Sequence, residues 1–336
     1  MLNTRQIIAL SEIQDCGATT IRQIVSRAGL FRQDDLSDLE FLDFINGCIS
    51  DGIKHSRIKQ LSRTDFLDVI SRVDRLIEES ERYGIKAVSY VDADFPPQLL
   101  NTINEKGKTD IPILLFYKGD LSVAEQKGIA IVGTREPTRE GVYAGEYFGQ
   151  KLAEVGFNIV SGLALGCDTA VHRGALKYSE GKTTAFLAHG LDTVFPPENK
   201  NLATEITERG GLLMSEYPIG KTVNRYRLIA RDRLQAAMSE ATIVIQTSVQ
   251  GGTYHAANAT LLSGKPLFCV KYSQEDIMNQ TNVLGNAELV SKGAQYLTSA
   301  DFMDKISAYL NMKSINLQPA NANSFNSEPI QMTLFE

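Results

Sequence analysis

From residue 128 onward the chain alternates short apolar runs with helical patterns, and this alternation limits the possible folds more than any other feature. Six runs are predicted as strands, at residues 129–132, 157–160, 184–187, 212–214, 242–245 and 266–270. Helices are predicted between them, for example at residues 143–155, 202–209 and 254–262. Because apolar strands joined by crossover helices form parallel sheets covered on both faces, the pattern predicts an α/β fold. Ligands of such sheets bind at the carboxyl ends of the strands.

The first 82 residues have a helical pattern instead. Apolar side chains recur at helical spacing from residue 65 to 82, which predicts one amphipathic helix packed on its neighbours. Residues 13–17 resemble the turn of a helix-hairpin-helix, a phosphate-binding motif, but Asp15 stands at the motif's first glycine. The sequence leaves open whether this region contacts DNA or packs on itself or a partner. Two strands predicted at residues 86–91 and 111–118 join it to the α/β part.

The composition excludes several classes of protein. The chain has 34 Lys and Arg against 40 Asp and Glu, a net charge of −6, so any nucleic-acid contact must use a local patch. No apolar run approaches the roughly 20 residues that span a bilayer, and the first twenty residues lack a signal-peptide pattern, so we expect a cytoplasmic protein without membrane contact. Four cysteines without a CxxC motif predict reduced thiols, with no metal site and no disulfide framework.

Two turns at predicted strand ends have the composition of an anion site. Gly133, Thr134 and Arg135 follow the first strand of the α/β part, where a glycine lets a ligand approach the backbone and the arginine supplies a forked cation. Ser161 and Gly162 end the second strand and extend the same predicted pocket. The GxGxxG and GxxxxGK[ST] motifs are absent, so neither a dinucleotide nor ATP is predicted and no cofactor is expected.

The strongest local charge lies between residues 221 and 233. This segment contains one acidic residue, Asp232, and five cations, which are Lys221, Arg225, Arg227, Arg231 and Arg233. A solvated basic loop would explain such a segment, but this density of cations in an acidic chain favours contact with phosphates. Tyr226 lies in the same segment and could stack on a base, as single-strand binders require.

A third glycine turn admits an enzymatic alternative. Gly251, Gly252 and Thr253 precede a predicted helix and resemble the turn of LOG-type nucleotide phosphoribohydrolases. Those enzymes carry a glutamate after the turn, whereas this chain has no acid there. Glu216 is the best placed carboxylate elsewhere, and it is as suited to orienting Arg231 or Arg233 as to chemistry. We therefore predict a binding protein without catalytic residues, with a nucleotide-binding or N-glycosidic hydrolase as the alternative.

Taken together, the ordered motifs resemble the DprA/Smf family of DNA-processing proteins over roughly residues 85–300. The resemblance is carried by sequence at residues 94–99, 115–120, 131–135, 161–168, 172–176, 190–196 and 213–218. It implies an extended Rossmann-like, doubly wound and mostly parallel sheet that binds single-stranded DNA without catalysis. It also implies a homodimer that acts in DNA recombination and natural transformation, shielding strands and loading a RecA-type recombinase.

The resemblance assigns phosphate-binding roles to seven residues at the sheet edge, namely Gly133, Thr134, Arg135, Ser161, Gly162, Arg231 and Arg233. The chain departs from the family pattern at this edge. Residues 228–233 replace a phenylalanine-proline-x-arginine-asparagine-arginine motif and place Asp232 between its two arginines. Residues 251–253 replace a serine-glycine-serine turn, and Gln246 replaces a glutamate. A divergent branch is therefore expected, which makes a DprA-like partner or antitoxin of a toxin in a phage-defence module an alternative role.

The sequence predicts three regions: a helical domain at residues 1–82, the Rossmann-like domain at 83–310 and a flexible tail at 311–336. The tail ends in a motif formed by Gln331, Leu334 and Phe335, which resembles the peptide that docks in the bacterial sliding clamp. A terminal segment that packs back on its own domain is the alternative.

Overall fold

The computed structural model describes residues 2–29 and 36–310, and within these ranges the chain forms twelve α-helices and nine β-strands. The helices are α1 (Thr4–Glu12), α2 (Ala18–Ala28), α3 (Asp38–Ser50), α4 (Arg63–Arg82), α5 (Arg139–Glu154), α6 (Cys167–Lys177), α7 (Lys200–Glu208), α8 (Arg225–Met238), α9 (Thr253–Leu262), α10 (Glu275–Met278), α11 (Leu284–Ser291) and α12 (Phe302–Leu310). The strands are β1 (Lys86–Ser89), β2 (Leu114–Gly119), β3 (Gly128–Val132), β4 (Asn158–Ser161), β5 (Thr183–Phe186), β6 (Leu212–Ser215), β7 (Ser239–Val244), β8 (Leu267–Val270) and β9 (Gln295–Leu297).

All nine strands of the described ranges form one sheet in the order β1-β2-β6-β5-β4-β3-β7-β8-β9. In this sheet order every neighbouring pair between β6 and β9 is parallel. Strand β1 pairs antiparallel with β2, and β2 pairs antiparallel with β6. The chain leaves β3 toward β4, β5 and β6 and then returns to the other side of β3 with β7. The predicted α/β fold with a doubly wound, mostly parallel sheet is therefore confirmed.

Helices cover both faces of the sheet and close two cores. On one face Ile131 of β3 and Ile243 of β7 pack against Phe148 of α5 and Val171 of α6. On the other face α8 packs its buried side chains against β4 and β5. Each fully buried aliphatic or aromatic side chain contributes about 1.5–3 kcal/mol, so the two cores fix the strand ends that carry the candidate site.

The first four helices form a core of their own against β1 and β2. Phe41 of α3 packs edge-on against Phe66 of α4, with ring centroids 5.9 Å apart. Arg5 of α1 joins the helices by ion pairs to Asp38 (2.6 Å) and Asp74 (2.7 Å). Helix α4 matches the predicted helix at residues 65–82, extended by two residues at its start. The division at residue 82 into separate domains stays a prediction.

The cysteines and the apolar segments add two findings. All four cysteines are buried and free of disulfides. In the part of the chain that the structure describes, no helix combines the length and apolarity needed to cross a bilayer. The predicted clamp motif of Gln331, Leu334 and Phe335 lies outside the described residues.

Candidate nucleic-acid interface

An open cleft of about 690 Å³ lies at the carboxyl ends of β3, β4, β5 and β7. This is the point where the strand order reverses around β3, which is where doubly wound sheets bind ligands. The cleft is walled by the loops after these strands and by α8. Eight residues predicted from the sequence line it: Gly133, Thr134, Arg135, Arg225, Arg231, Gly251, Gly252 and Thr253.

The loop after β3 is held rigidly, which leaves one arginine in solvent. The Thr134 N–H donates to the Gln246 carbonyl (2.8 Å), and the Thr134 carbonyl accepts from the Cys167 N–H (3.1 Å). A Cβ on Gly133 would lie 2.5 Å from the Cys167 Sγ, so only glycine fits this crossing. The side chain of Arg135 is exposed and forms none of the ion pairs found within residues 2–29 and 36–310. Arg135 is therefore available to an anion.

Ser161 and Gly162 support the cleft and do not line it, which corrects their predicted contact with phosphate. The buried Ser161 Oγ donates to the Ile131 carbonyl (2.7 Å) and ties β4 to β3. The Gly162 carbonyl accepts from Nη1 of Arg231 (2.7 Å). A Cβ on Gly162 would lie 1.9 Å from that nitrogen, so this glycine makes room for the guanidinium.

Arg231 reaches the cleft wall, but its donors are used inside the protein. Only 6% of the residue is exposed. Besides the Gly162 carbonyl, Nη1 donates to the Phe186 carbonyl (2.7 Å), and Nε lies 3.0 Å from Oδ1 of Asp232. The guanidinium thus crosslinks the loop after β4, the end of β5 and α8. Its predicted direct role is corrected to positioning, since a phosphate would have to replace buried hydrogen bonds.

Arg233 is also occupied by carboxylates. It forms a two-bond pair with Glu216, in which both N–O distances are 2.7 Å, and its Nε lies 2.7 Å from Oδ2 of Asp110. Its side chain is only 12% exposed, and it lines a neighbouring groove outside the cleft. The phosphate contact predicted for Arg233 therefore stays a prediction, made by a guanidinium that is already paired, and the two-bond pair agrees with the alternative that Glu216 orients it.

Two carboxyl groups lie at the floor of the cleft beside Arg231. Burial raises the pKa of Asp232 to about 6, although Arg231 and Arg135 act in the opposite direction. Burial also raises the pKa of Asp168, whose carboxylate accepts from the Ala164 N–H (3.2 Å). The cleft therefore contains negative charge near neutral pH and loses part of it on mild acidification.

The exposed cations of the 221–233 segment are at its start, where α8 begins. Arg225 is exposed and lines the cleft. Lys221 is exposed but lies outside the lining, and Arg227 lies over the ring of Tyr217, 4.9 Å from its centroid. Of the five cations in this segment, Arg225 is the one that both lines the cleft and remains solvent-exposed.

The turn after β7 offers backbone donors. Helix α9 begins at Thr253, and its N-cap residue Gly252 supplies no side-chain hydrogen bond. A Cβ on Gly251 would lie 2.7 Å from Thr247 Oγ1, so the turn is closely packed on its inner side. First-turn N–H groups of a helix without a side-chain cap suit an anion. The Tyr254 and His255 N–H groups already donate to the carbonyls of Gly251 and Gly252 (both 3.1 Å), so the predicted phosphate contact of this turn stays a prediction that depends on the remaining donors.

A second groove, which the sequence analysis did not predict, adjoins the cleft. It has a volume of about 860 Å³ and shares Ile229 and His255 with the cleft. Its other walls come from residues 104–110, α8 and α9. Tyr226 lines it and is 84% exposed. The groove joins segments more than 100 residues apart, so no local sequence pattern could have revealed it.

His172 is a packed residue and not a ligand contact. It is fully buried, and its Nδ1 lies 2.7 Å from the Thr183 Oγ1. Burial, with a smaller effect of Arg231, lowers its pKa to about 3, so the imidazole is neutral. It belongs to the support beneath Arg231.

Comparisons with known proteins agree with this geometry. A family model described as DNA recombination-mediator protein A matches residues 86–307. The protein Smf of Escherichia coli is 34% identical over 180 residues, which cover 53% of this chain and 46% of the E. coli protein. A Smf protein of Synechocystis is 32% identical over 67% of this chain and 54% of its own length. The chain thus spans about half the length of these two relatives.

Solved structures extend the likeness to the whole fold. The DNA processing protein A of Streptococcus pneumoniae is 27% identical with a TM-score of 0.68, covering 91% of this chain and 98% of that one. The corresponding protein of Helicobacter pylori, whose structure is described as giving insight into a unique single-stranded DNA binding mode, is 28% identical. Its TM-score is 0.56, and the match covers 68% of this chain and 96% of the H. pylori chain.

Proposed function

The chain belongs to the DprA/Smf family of DNA recombination-mediator proteins, and from this premise we propose that it binds single-stranded DNA in the cleft without catalysing a reaction on it. The observation that carries the proposal is the cleft itself, which presents two exposed arginines and an uncapped helix start at the sheet edge. A family relative with the same fold is described as binding single-stranded DNA.

The phosphates are held by Arg135, Arg225 and the backbone of residues 251–253. These groups come from the loop after β3, the first residue of α8 and the turn before α9. Neither arginine is in an ion pair among the described residues, but within the turn the Gly251 N–H already donates to the Ser248 carbonyl (3.1 Å), so the available backbone donors are those of Gly252 and Thr253. Arg231 acts as a positioning residue, because its hydrogen bonds hold the loop after β4 and the end of β5 beside the cleft. The proposed contact set is therefore smaller than the sequence implied, which predicts weak and salt-sensitive binding.

The DNA strand leaves the cleft along the second groove, where its bases can stack on an aromatic ring. The exposed ring of Tyr226 lines this groove, and His255 lies at the junction with the cleft. Stacking on an aromatic ring tolerates every base, so this path gives binding without sequence preference. Lys221 and Arg227 lie near the start of α8 and contribute to binding through their positive charge.

The test is a titration of oligo-dT at several salt concentrations. Two phosphates neutralised by Arg135 and Arg225 give a slope of log K against log salt of roughly −1.4, at about 0.7 for each phosphate, and the charges of Lys221 and Arg227 increase its magnitude. Replacing Arg135 with Ala lowers the magnitude of that slope by about 0.7. Arg139 is an exposed arginine four residues further on that does not line the cleft, so Arg139→Ala serves as the matched control. Absence of oligo-dT binding at low salt would remove this function.

The hydrolase alternative rests on the carboxyl groups of Asp168 and Asp232 in the cleft, since α9 carries no acid in its first turn. Incubation with nucleoside monophosphates separates the two functions. Release of free base that is lost in Asp232→Asn would favour the hydrolase. An unchanged nucleotide pool would favour binding alone.

Family membership supports a proposal for the wider role. We propose loading of a RecA-type recombinase during transformation and a homodimeric state, and we retain the toxin partner of a defence module as the alternative. Clamp binding through residues 331–335 is a separate proposal. Pull-down of sliding clamp with the full chain and with Leu334→Ala tests it, and equal recovery of both forms would discard it.

A further inference from the structure

A second cationic surface lies in the helical region, far in sequence from the cleft. Residues 54–63 contain four cations and no acidic residue, namely Lys54, Arg57, Lys59 and Arg63. All four side chains are exposed, and none forms an ion pair within the described ranges 2–29 and 36–310. We call these four residues the cationic strip.

The strip belongs to an ordered connection between α3 and α4. Residues 56–62 lie outside any helix or strand, but Ile58 and Leu61 pack into the core of the helical region. These two apolar side chains pack inward, while Lys59 between them and Arg57 and Arg63 beside them are exposed. The alternation fixes which face of the segment is charged.

Reciprocal hydrogen bonds pin the connection at both ends. The Gln23 side chain donates to the Lys54 carbonyl and accepts from its N–H, both at 2.9 Å. The Asn46 side chain makes the same pair of bonds to Leu61, also at 2.9 Å. Thr20 Oγ1 donates to Ser56 Oγ (2.9 Å) between them. The backbone that carries the cations is therefore ordered before any ligand arrives, which lowers the entropic cost of binding.

We propose that the cationic strip is a second contact for the phosphate backbone of nucleic acid, separate from the cleft. Four exposed cations within ten residues of an acidic chain, with no exposed aromatic or apolar side chain among them, suit a polyanion and do not read bases. The proposal rests on the proposed function for the identity of the polyanion. It assigns a DNA-binding role to the N-terminal helices.

Contacts connect the strip to the second groove. Arg22 of α2, next to Gln23, donates to the Ile111 carbonyl. The neighbouring Asp110 lines the second groove and binds Arg233 of α8. A strand that leaves the cleft along this groove approaches the helical region there. The strip thus lengthens the binding site and leaves the cleft unchanged.

The experiment compares two variants with the same net charge. The strip variant carries Lys54→Gln, Arg57→Gln, Lys59→Gln and Arg63→Gln. The control variant replaces four exposed cations elsewhere that also form no ion pair among the described residues: Arg72→Gln, Arg82→Gln, Lys127→Gln and Lys200→Gln. Each protein is titrated across salt with a short oligo-dT of about 6 nucleotides and a long one of about 30.

We expect the strip variant to bind the short oligonucleotide like the wild type. For the long oligonucleotide, the magnitude of its salt slope falls by about 2 to 3, at about 0.7 for each lost contact. The control variant keeps most of the wild-type slope. Far-ultraviolet circular dichroism verifies that both variants are folded.

Equal slopes for the two variants with the long oligonucleotide would overturn the proposal while leaving the cleft function intact. The strip proposal would also be overturned, and the cleft function kept, if Arg135→Ala lost binding of the short oligonucleotide while the strip variant bound both lengths like the wild type. If the strip variant binds DNA normally but loses binding to phosphatidylserine vesicles, the surface is a membrane contact and the proposal is wrong. A wild-type protein that binds neither oligonucleotide refutes both proposals.

Discussion

Two segments of this chain carry the same excess of four positive charges, yet the fold uses them differently. In residues 221–233 the last two arginines, Arg231 and Arg233, are turned inward and bonded to carbonyls and carboxylates. In residues 54–63 every cation is exposed and none is in an ion pair among the described residues. Charge density in a sequence therefore does not identify the cations that a ligand can reach.

The difference follows from the local structure of each segment. Residues 225–238 form a helix that packs on the sheet, so part of every turn faces the interior and its arginines must find partners there. The carboxylates that pair with Arg233, Asp110 and Glu216, are distant from it in sequence. Residues 56–62 run along the surface without a helix, so the inward positions are all taken by apolar or small side chains. The first segment builds the site, and the second extends it.

The largest effect that would sharpen this contrast is the loss of Arg231. Arg231→Ala leaves Asp232 without its ion pair and two buried carbonyls without their donor. We expect a loss of about 3–5 kcal/mol in the free energy of unfolding, because breaking a buried pair strands the remaining charge. Urea denaturation monitored by circular dichroism measures it.

Arg231→Lys is the informative companion variant. A single ammonium group cannot replace the forked guanidinium, so it should recover only part of the unfolding free energy lost in Arg231→Ala. A change below about 0.5 kcal/mol in Arg231→Ala, typical of a surface site, would show that the buried bonds do not matter for stability.

The next effect concerns the aromatic residue that only the first segment has. Tyr226→Ala should weaken binding of single-stranded DNA by about 1–3 kcal/mol, the value of one stacked base. Tyr226→Phe keeps the ring and should bind like the wild type. Tyr83, about half exposed at the end of α4, provides the control Tyr83→Ala. Fluorescence of an oligonucleotide with 2-aminopurine reports stacking directly, and equal quenching by Tyr226→Ala and the wild type would contradict the path through the groove.

A smaller effect depends on pH and belongs to the first segment alone. The pKa of Asp232 is raised in the folded protein to about 6 from the ordinary 3.8, chiefly by burial, with Arg231, Asp168 and Arg135 around it. A raised carboxyl pKa means that the folded state binds more protons than the unfolded state between about pH 4 and 6. This group therefore makes the free energy of unfolding fall as pH rises through that window, and has no further effect above it.

Asp232→Asn removes that contribution. The difference in unfolding free energy between wild type and variant should change by about 2 kcal/mol between pH 4 and 7, since the pKa of Asp232 is raised by about two units and one unit corresponds to about 1.4 kcal/mol. The constant cost of the altered ion pair cancels in this comparison of pH slopes. Parallel curves for the two proteins would place the pKa of Asp232 near its ordinary value.

The sequence predicted the sheet well because its signal is local. Each apolar strand from β3 to β8 lies within a few residues of its predicted position, and the glycine turns at 133 and 251–252 do border the cleft. The helix α8 was not recognised, because arginines at 225, 227, 231 and 233 hide its apolar stripe. The internal bonds of Ser161, Gly162, Arg231 and Arg233 could not be read from the sequence for a related reason: apart from Asp232 beside Arg231 and Ala230 near Arg233, their partners lie 17 to 123 residues away.

The smallest expected effect tests the second segment one charge at a time. Arg57→Gln removes an exposed cation whose side chain is in no ion pair of the described structure, so the free energy of unfolding should change by less than about 0.5 kcal/mol. The salt slope for a long oligonucleotide should nevertheless decrease in magnitude by about 0.7, the contribution of one phosphate contact. Arg72→Gln on α4 is the control, because Arg72 is also exposed and the variant loses the same charge.

The two readouts together separate the segments. Arg231 is expected to change stability strongly and DNA binding only through the shape of the cleft, whereas Arg57 is expected to change the salt slope and leave stability alone. A destabilisation of Arg57→Gln by more than about 1 kcal/mol would mean that this arginine has an internal role like that of Arg231. If Arg57→Gln and Arg72→Gln gave the same salt slope, Arg57 would not contact the DNA, although its side chain is exposed.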